Sequence, residues 1–494
     1  MASALASPAP TQGFTSKELR TVALTTIGVL MFAADSTIVI LALPTMAREL
    51  AAPLGSIIWV ILIYLLTTTV LTTQAGRLGD LFGRRGIYNA GFAVFTIGSV
   101  LCGLASSVDV LISARLVQAV GGAVIFANGY AVVADAVAPA RRGRAFGFFV
   151  SGWATGAILG ILLGGAITTA FGWRYIFYIN VPIGLVAVPL GLTTLPKIPR
   201  RDAVLDLPGF LALSGALALI CYGAIEYSSY GLSALNVAYL LVGLALLPVF
   251  VAIELRARKP MIDFRQIRER YLGLSLTAGF LQPLGYLAVI FLLTMYLQGL
   301  RGLTPLDASL LLVPGYLIGA VLGPAVGRRV VTFGARRLTT MGISITAVAV
   351  LLYSTLSVTS WIGFVPLISC MTGVGAGIFY PSNATAIMSR ATPSTFGAIS
   401  GLQGTLLNLG ALLSFVLALS IASASVPRYV AYAVFLGSTN LGGPIGDQFL
   451  GGLHAALWGC VGILALGAVL SWTRGEAPPR TGPVPEPASA THPG

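Results

Sequence analysis

Residues 21–43 read TVALTTIGVLMFAADSTIVILAL, and Asp35 is the one charged residue among these 23. Wound as an α-helix at about 1.5 Å per residue, the stretch reaches roughly 34 Å and crosses the hydrocarbon core of a bilayer. An aspartate there costs about 3 kcal/mol on insertion scales, so a retained one marks a proton carrier, an ion site or half of a buried charge pair. The residues before it are polar, and the stretch is too long for a signal-peptide core and lacks a small-residue cleavage site, so we expect a retained first helix.

The same pattern recurs along the chain. Of its 494 residues 56% are hydrophobic and only 9% charged, against about 25% charged in soluble proteins, which excludes an ordinary soluble enzyme. Apolar runs of membrane-spanning length fall near 21–43, 56–76, 86–106, 109–134, 143–170, 174–196, 208–226, 232–253, 271–297, 305–326, 337–356, 361–387, 396–424 and 451–472. The expected fold is therefore an all-α integral membrane protein with fourteen transmembrane helices.

Charge tests the threading independently, because cytoplasmic loops of membrane proteins collect Lys and Arg. With the N-terminus inside, the cytoplasmic segments and adjoining helix ends hold 24 of the 29 Lys and Arg residues. The other side holds Arg48, Arg174, Arg301 and Arg428, while Arg115 lies within the membrane. Both termini are thus expected in the cytoplasm, with the chain in the cell membrane. The net charge of +13 follows from this topology and from attraction to anionic lipid, so no nucleic-acid partner is expected. Cys102, Cys221, Cys370 and Cys460 all fall in spans without metal-ligand spacing, so no metal is expected. The Pro-rich tail after Trp472 is expected to be disordered.

GRLGDLFGRR (Gly76–Arg85) joins spans two and three, and GRRVVTFGARR (Gly327–Arg337) joins spans ten and eleven. Gly76 and Gly327, like Gly83 and Gly334, are 251 residues apart, as a duplicated chain would show. The first loop resembles the G-x-L-x-D-R-x-G-R-R signature of the major facilitator superfamily, with Leu81 in place of its central Arg. Asp35 to Pro44, Trp59 with Tyr64, Arg115 with Gln118, and WRYIFYINVPIG (Trp173–Gly184) are similar, in order, to the fourteen-helix drug:proton antiporter branch. The resemblance implies two six-helix bundles, 21–196 and 271–473, with an inserted helix pair and its linkers over 197–270, between a cytoplasmic segment 1–20 and a tail 474–494. It also implies alternating access about a midplane site.

Asp35 lies about 12 Å and Arg115 about 9 Å from the same membrane surface on the helical rise. Charges at one level can neutralise each other, and a carboxyl beside a cation changes its proton affinity when the pair separates. The residues alone leave two readings, a structural ion pair or a proton-coupling site; the resemblance favours the second. Gln118, Gly122 and Gly129 share a face with Arg115, which lines a cavity or packs on a neighbour. Trp59, Tyr64, Gln118, Asn128, Glu226, Gln403 and Asn408 are the candidate cavity residues, with interfacial placement or helix packing as the plainer alternative for several.

Gly76, Asp80, Gly83, Arg84, Arg85 and Asp135 form a candidate conformational latch. By resemblance, Arg84 pairs with Asp135 and Asp80 meets a helix start in the other half; the alternative is that the arginines serve topology alone. Val331 replaces the Asp in the second copy, so the latch is expected to be one-sided. Gly152, Gly156, Gly160 and Gly164, followed by Gly165, let helices touch backbone to backbone. Ile161 stands where the antiporter signature has Pro, which removes the expected cause of a kink. The segment 425–450 reads as a hairpin over the outer mouth, or as a plain interfacial loop.

No G-x-x-x-x-G-K-[ST] phosphate loop is present and the two histidines lie far apart, so neither ATP, another cofactor nor enzymatic catalysis is expected. The expected function is a monomeric secondary transporter that exports small amphipathic or apolar compounds in exchange for protons. A proton-independent facilitator or lipid transporter on the same scaffold is the alternative.

Overall fold

The computed structural model describes residues 13–196, 200, 204–231, 233–258, 260, 262, 264, 269–390, 396–424 and 444–476. Fourteen helices among them, α6 only together with the short turn before it, are long and apolar enough to cross a membrane, as the hydropathy pattern requires. They are α1 (Ser16–Glu49), α2 (Trp59–Phe82), α3 (Arg84–Gly103), α4 (Val108–Ala136), α5 (Pro139–Phe171), α6 (Asn180–Thr194) and α7 (Leu207–Tyr230). They continue with α8 (Ala234–Arg256), α9 (Arg270–Thr294), α10 (Pro305–Phe333), α11 (Ala335–Tyr353), α12 (Phe364–Met388), α13 (Phe396–Ala424) and α14 (Pro444–Thr473). Short turns, Leu54–Ile57 and Tyr175–Tyr178, lead into α2 and α6, and a π-helical turn, Met295–Leu300, extends α9. An even number of crossings brings residues 13 and 476 to one face, the termini face.

α14 begins at Pro444, seven residues before the apolar run. Of the 425–450 hairpin, residues 425–443 lie outside the described residues and the remainder is helix. The disordered-tail expectation likewise falls on residues outside them from 477 onward. α1 starts earlier than its apolar run because Thr15 and Glu18 close a reciprocal capping box. Glu18 also takes hydrogen bonds from the Ala138 amide (3.0 Å) and Arg141 (2.9 Å), tying α1 to the α4–α5 turn.

The first six helices pack as α1 on α5, α2 and α3 on α4, and α3 on α6. The last six pack as α9 on α13 and α14, with α10 and α11 on α12. The two groups meet along α5–α10 and α2–α13, and α7, paired with α8, lies against both α2 and α13. Leu241 and Leu244 of α8 are 61% and 52% exposed, an apolar surface that fits lipid. Both repeat loops end their helix on a glycine in the left-handed region, Gly83 at φ 101° and Gly334 at φ 83°, where a side chain is strained.

The glycine seam of α5 sets the position of α1. A methyl group on Gly156 would lie 2.3 Å from the Leu30 carbonyl, on Gly160 2.4 Å from that of Ala34, and on Gly164 2.6 Å from that of Ile38. Thr37 Oγ1 adds a hydrogen bond to the Ala157 carbonyl (3.1 Å). Gly165 faces across the molecule, onto the Pro305 carbonyl and Ser309 of α10. Gly156→Ala should therefore destabilise the protein by about 1–3 kcal/mol, the usual cost of overpacking. Gly147→Ala on the same helix, where the added carbon meets nothing within 4 Å, should leave thermal melting of the purified protein unchanged or raised. Equal melting of the two variants would contradict a tight α1–α5 contact.

Candidate functional site

With α1 held on its Gly-facing side, Asp35 turns into the first six helices. Its side chain is 0% exposed and that of Arg115 2%. Arg115 Nη1 donates to Asp35 Oδ2 at 2.5 Å and to Gln118 Oε1 at 2.6 Å. Gln118 Nε2 returns a hydrogen bond to Asp35 Oδ1 at 2.8 Å and another to Ser99 Oγ at 2.8 Å. Asn180 Nδ2 reaches Asp35 Oδ1 at 3.3 Å, and Arg115 Nε reaches the Val60 carbonyl at 3.1 Å. The guanidinium lies over the Tyr64 ring, 4.1 Å from its centroid. Five helices thus supply one charge pair and its neutral hydrogen-bonding shell, as a buried pair requires if it is to offset its desolvation.

Several expected cavity residues have other roles here. Tyr64 (1% exposed), Gln118 (0%) and Asn128 (0%) do not line open space. Tyr64 stacks on Arg115 and Gln118 bridges the pair, while Asn128 Nδ2 holds the Ala75 carbonyl of α2 at 2.9 Å. Trp59 packs outward on Tyr222 of α7, ring centroids 6.4 Å apart. Glu226, Gln403 and Asn408 are half-buried; of these, α13 runs beside the first group where Gly404 faces the Phe126 ring. Ser99, Asn180 and the Val60 carbonyl were not foreseen: neutral polar atoms are common in membrane helices, and only Asn180 lies in a stretch the sequence singles out, Trp173–Gly184.

At the termini face Arg84 bridges two acids. Its Nη2 lies 2.7 Å from Asp80 Oδ1, Nη1 pairs with Asp135, and Nη1 also donates to the Ala131 carbonyl at 3.1 Å. Asp80 pairs with Arg84 of its own loop; residues 391–395, before α13, lie outside the described residues. Gly83 supplies the turn that aims Arg84, Gly76 has open space around it, and Arg85 is half-buried without taking part in these bonds.

The last six helices hold a buried cation of their own. Arg474, 4% exposed, donates to Ser275 Oγ (3.1 Å), Asn383 Oδ1 (3.2 Å) and Thr339 Oγ1 (2.9 Å). It directly follows α14, on the side where the sequence reading puts it, and there it is built into α9, α11 and α12. A second glycine seam also went unread: Gly315 and Gly319 of α10 meet the carbonyls of Ser369 and Gly373 on α12. Its four-residue spacing, Gly315, Gly319, Gly323 and Gly327, was the available signal.

A family description, the Major Facilitator Superfamily, matches residues 25–415. The chain belongs to the major facilitator superfamily. The chain is 31% identical over 394 residues to riboflavin transporter RibZ of Clostridioides difficile, covering 78% of this chain and 83% of that protein. It is 30% identical over 465 residues to puromycin resistance protein pur8 of Streptomyces alboniger, covering 92% and 91%. With the tetracenomycin C resistance and export protein of Streptomyces glaucescens it shares 28% over 404 residues, covering 81% and 75%. Among solved structures, a bacterial homologue of the human lysosomal transporter Spinster aligns with a TM-score of 0.67 at 17% identity, covering 94% and 98%. The protein is a multi-pass membrane transporter of this superfamily.

Proposed function

We propose that this transporter exports small amphipathic or apolar compounds in exchange for protons, as a monomer in the cell membrane with both termini in the cytoplasm. Residues 21–196 and 271–473 are the two rocking bundles, and 197–270 carries the inserted pair. The observation that supports the proton reading is Asp35: a carboxylate with no exposed surface, held by Arg115, Gln118 and Asn180. Its charge is stable only while that shell is intact, so a conformational step that opens the shell changes how readily it takes a proton. Arg84, Asp80 and Asp135 form the latch at the cytoplasmic face.

The relatives' named functions define the substrates to try first: puromycin, tetracenomycin C and riboflavin. Riboflavin is a distinct second reading, favoured by the similarity to RibZ over 78% of the chain. In proteoliposomes, movement of an accepted compound should follow an imposed pH gradient in size and direction and should collapse with a protonophore. Transport indifferent to the gradient would replace this reading with a facilitator.

A further inference from the structure

Among the described residues, two hydrogen bonds cross between the helical halves at the face opposite the termini. Gln298 Nε2 donates to the Leu41 carbonyl at 3.0 Å, and the Leu306 amide donates to Thr169 Oγ1 at 3.2 Å. The first is buried, with Gln298 7% and Leu41 0% exposed; the second is exposed.

Gln298 sits in the π-helical turn Met295–Leu300, a distortion that frequently marks functional sites. The extra residue rotates the succeeding side chains by about 100° relative to a continuous α-helix. Its own half fixes the turn firmly: Tyr296 Oη donates to the Ser357 carbonyl at 2.8 Å, and Arg301 Nη1 donates to Tyr296 Oη at 2.9 Å and to the Ser360 carbonyl at 2.8 Å. Pro44, which lacks an N–H, removes the α1 ladder bond to the Ile40 carbonyl, one residue before Leu41. Leu41 is also six residues from Asp35, about 9 Å along the same helix. α1 therefore carries the buried carboxylate at one level and the cross-half contact at another.

We propose that Gln298 is a positioning residue of the transport cycle: its amide fastens α1 to the second half in the state closed at the opposite face. Movement of α1 at Asp35 and release of Leu41 are then two parts of one step. This rests on the alternating-access reading of the proposed function.

The test removes the donor in two ways, Gln298→Leu and Gln298→Met, neither of which can donate or titrate, each carried forward once monodisperse on size exclusion. Spin labels at Leu104 and Trp361, 66% and 64% exposed on the two halves at the opposite face, read the separation in nanodiscs at acidic and alkaline pH. Loss of one buried hydrogen bond should shift the ratio of open to closed populations about five-fold toward open. The pH at which the population changes over should move with it, which a merely structural contact would not do. Thr169→Val, at the exposed contact, should leave both unchanged. If the labels interconvert in the wild type but neither Gln298 variant alters the populations, the role of Gln298 is overturned while alternating access stands. If the labels never change separation under any condition, both readings fail.

Discussion

Asp35→Asn should abolish substrate-driven proton movement while leaving a folded protein that still binds and exchanges substrate. The substitution keeps the size and one acceptor oxygen, so Gln118 or Asn180 can still donate to it. What it removes is the ionisable oxygen facing Arg115 Nη1. In proteoliposomes loaded with a pH indicator, the proton signal that accompanies wild-type transport should drop to background. Substrate counterflow, which moves no net proton, should persist within several-fold. Protons still moving with substrate in this variant would remove Asp35 from the coupling mechanism.

Arg115→Met is the complementary change, with the larger expected effect on stability. Without the guanidinium, Asp35 keeps only neutral donors in a site with no exposed surface. Stranding one partner of a buried pair costs about 3–5 kcal/mol, a cost that Asp35 can relieve only by taking up a proton. Two further contacts disappear, to the Val60 carbonyl and the Tyr64 ring. Thermal melting should fall steeply, and the double variant Asp35→Asn/Arg115→Met should recover part of the loss, since no isolated carboxylate remains. Losses that simply add would show that the pair is not energetically coupled.

The fold was legible because a bilayer imposes length and apolarity on every crossing, so residues 21–43 and the runs like them report themselves. The ends were less legible: α14 begins at Pro444 in a segment whose Asp447 and Gln448 dilute the apolar signal. At the site, depth along the helices placed Asp35 level with Arg115, and the structure brings them together. Periodicity put Gln118 on the same face of α4, but a helix face does not reveal what lies opposite. Gln118 thus read as cavity lining when it closes the hydrogen-bonded ring. Arg474 shows the same ambiguity, since a positive charge at a helix end reads as topology whether it meets lipid headgroups or three buried hydroxyl and amide oxygens.

The absence of exposed surface on Asp35 has a consequence for the cell's energy supply. A carboxylate reachable from both sides at once would act as a wire and drain the gradient that powers the carrier. Here five helices wall the group off in a single conformation, so on the proposed reading a proton crosses only when the protein itself moves. The machine's idle current is then set by how often the empty carrier turns over.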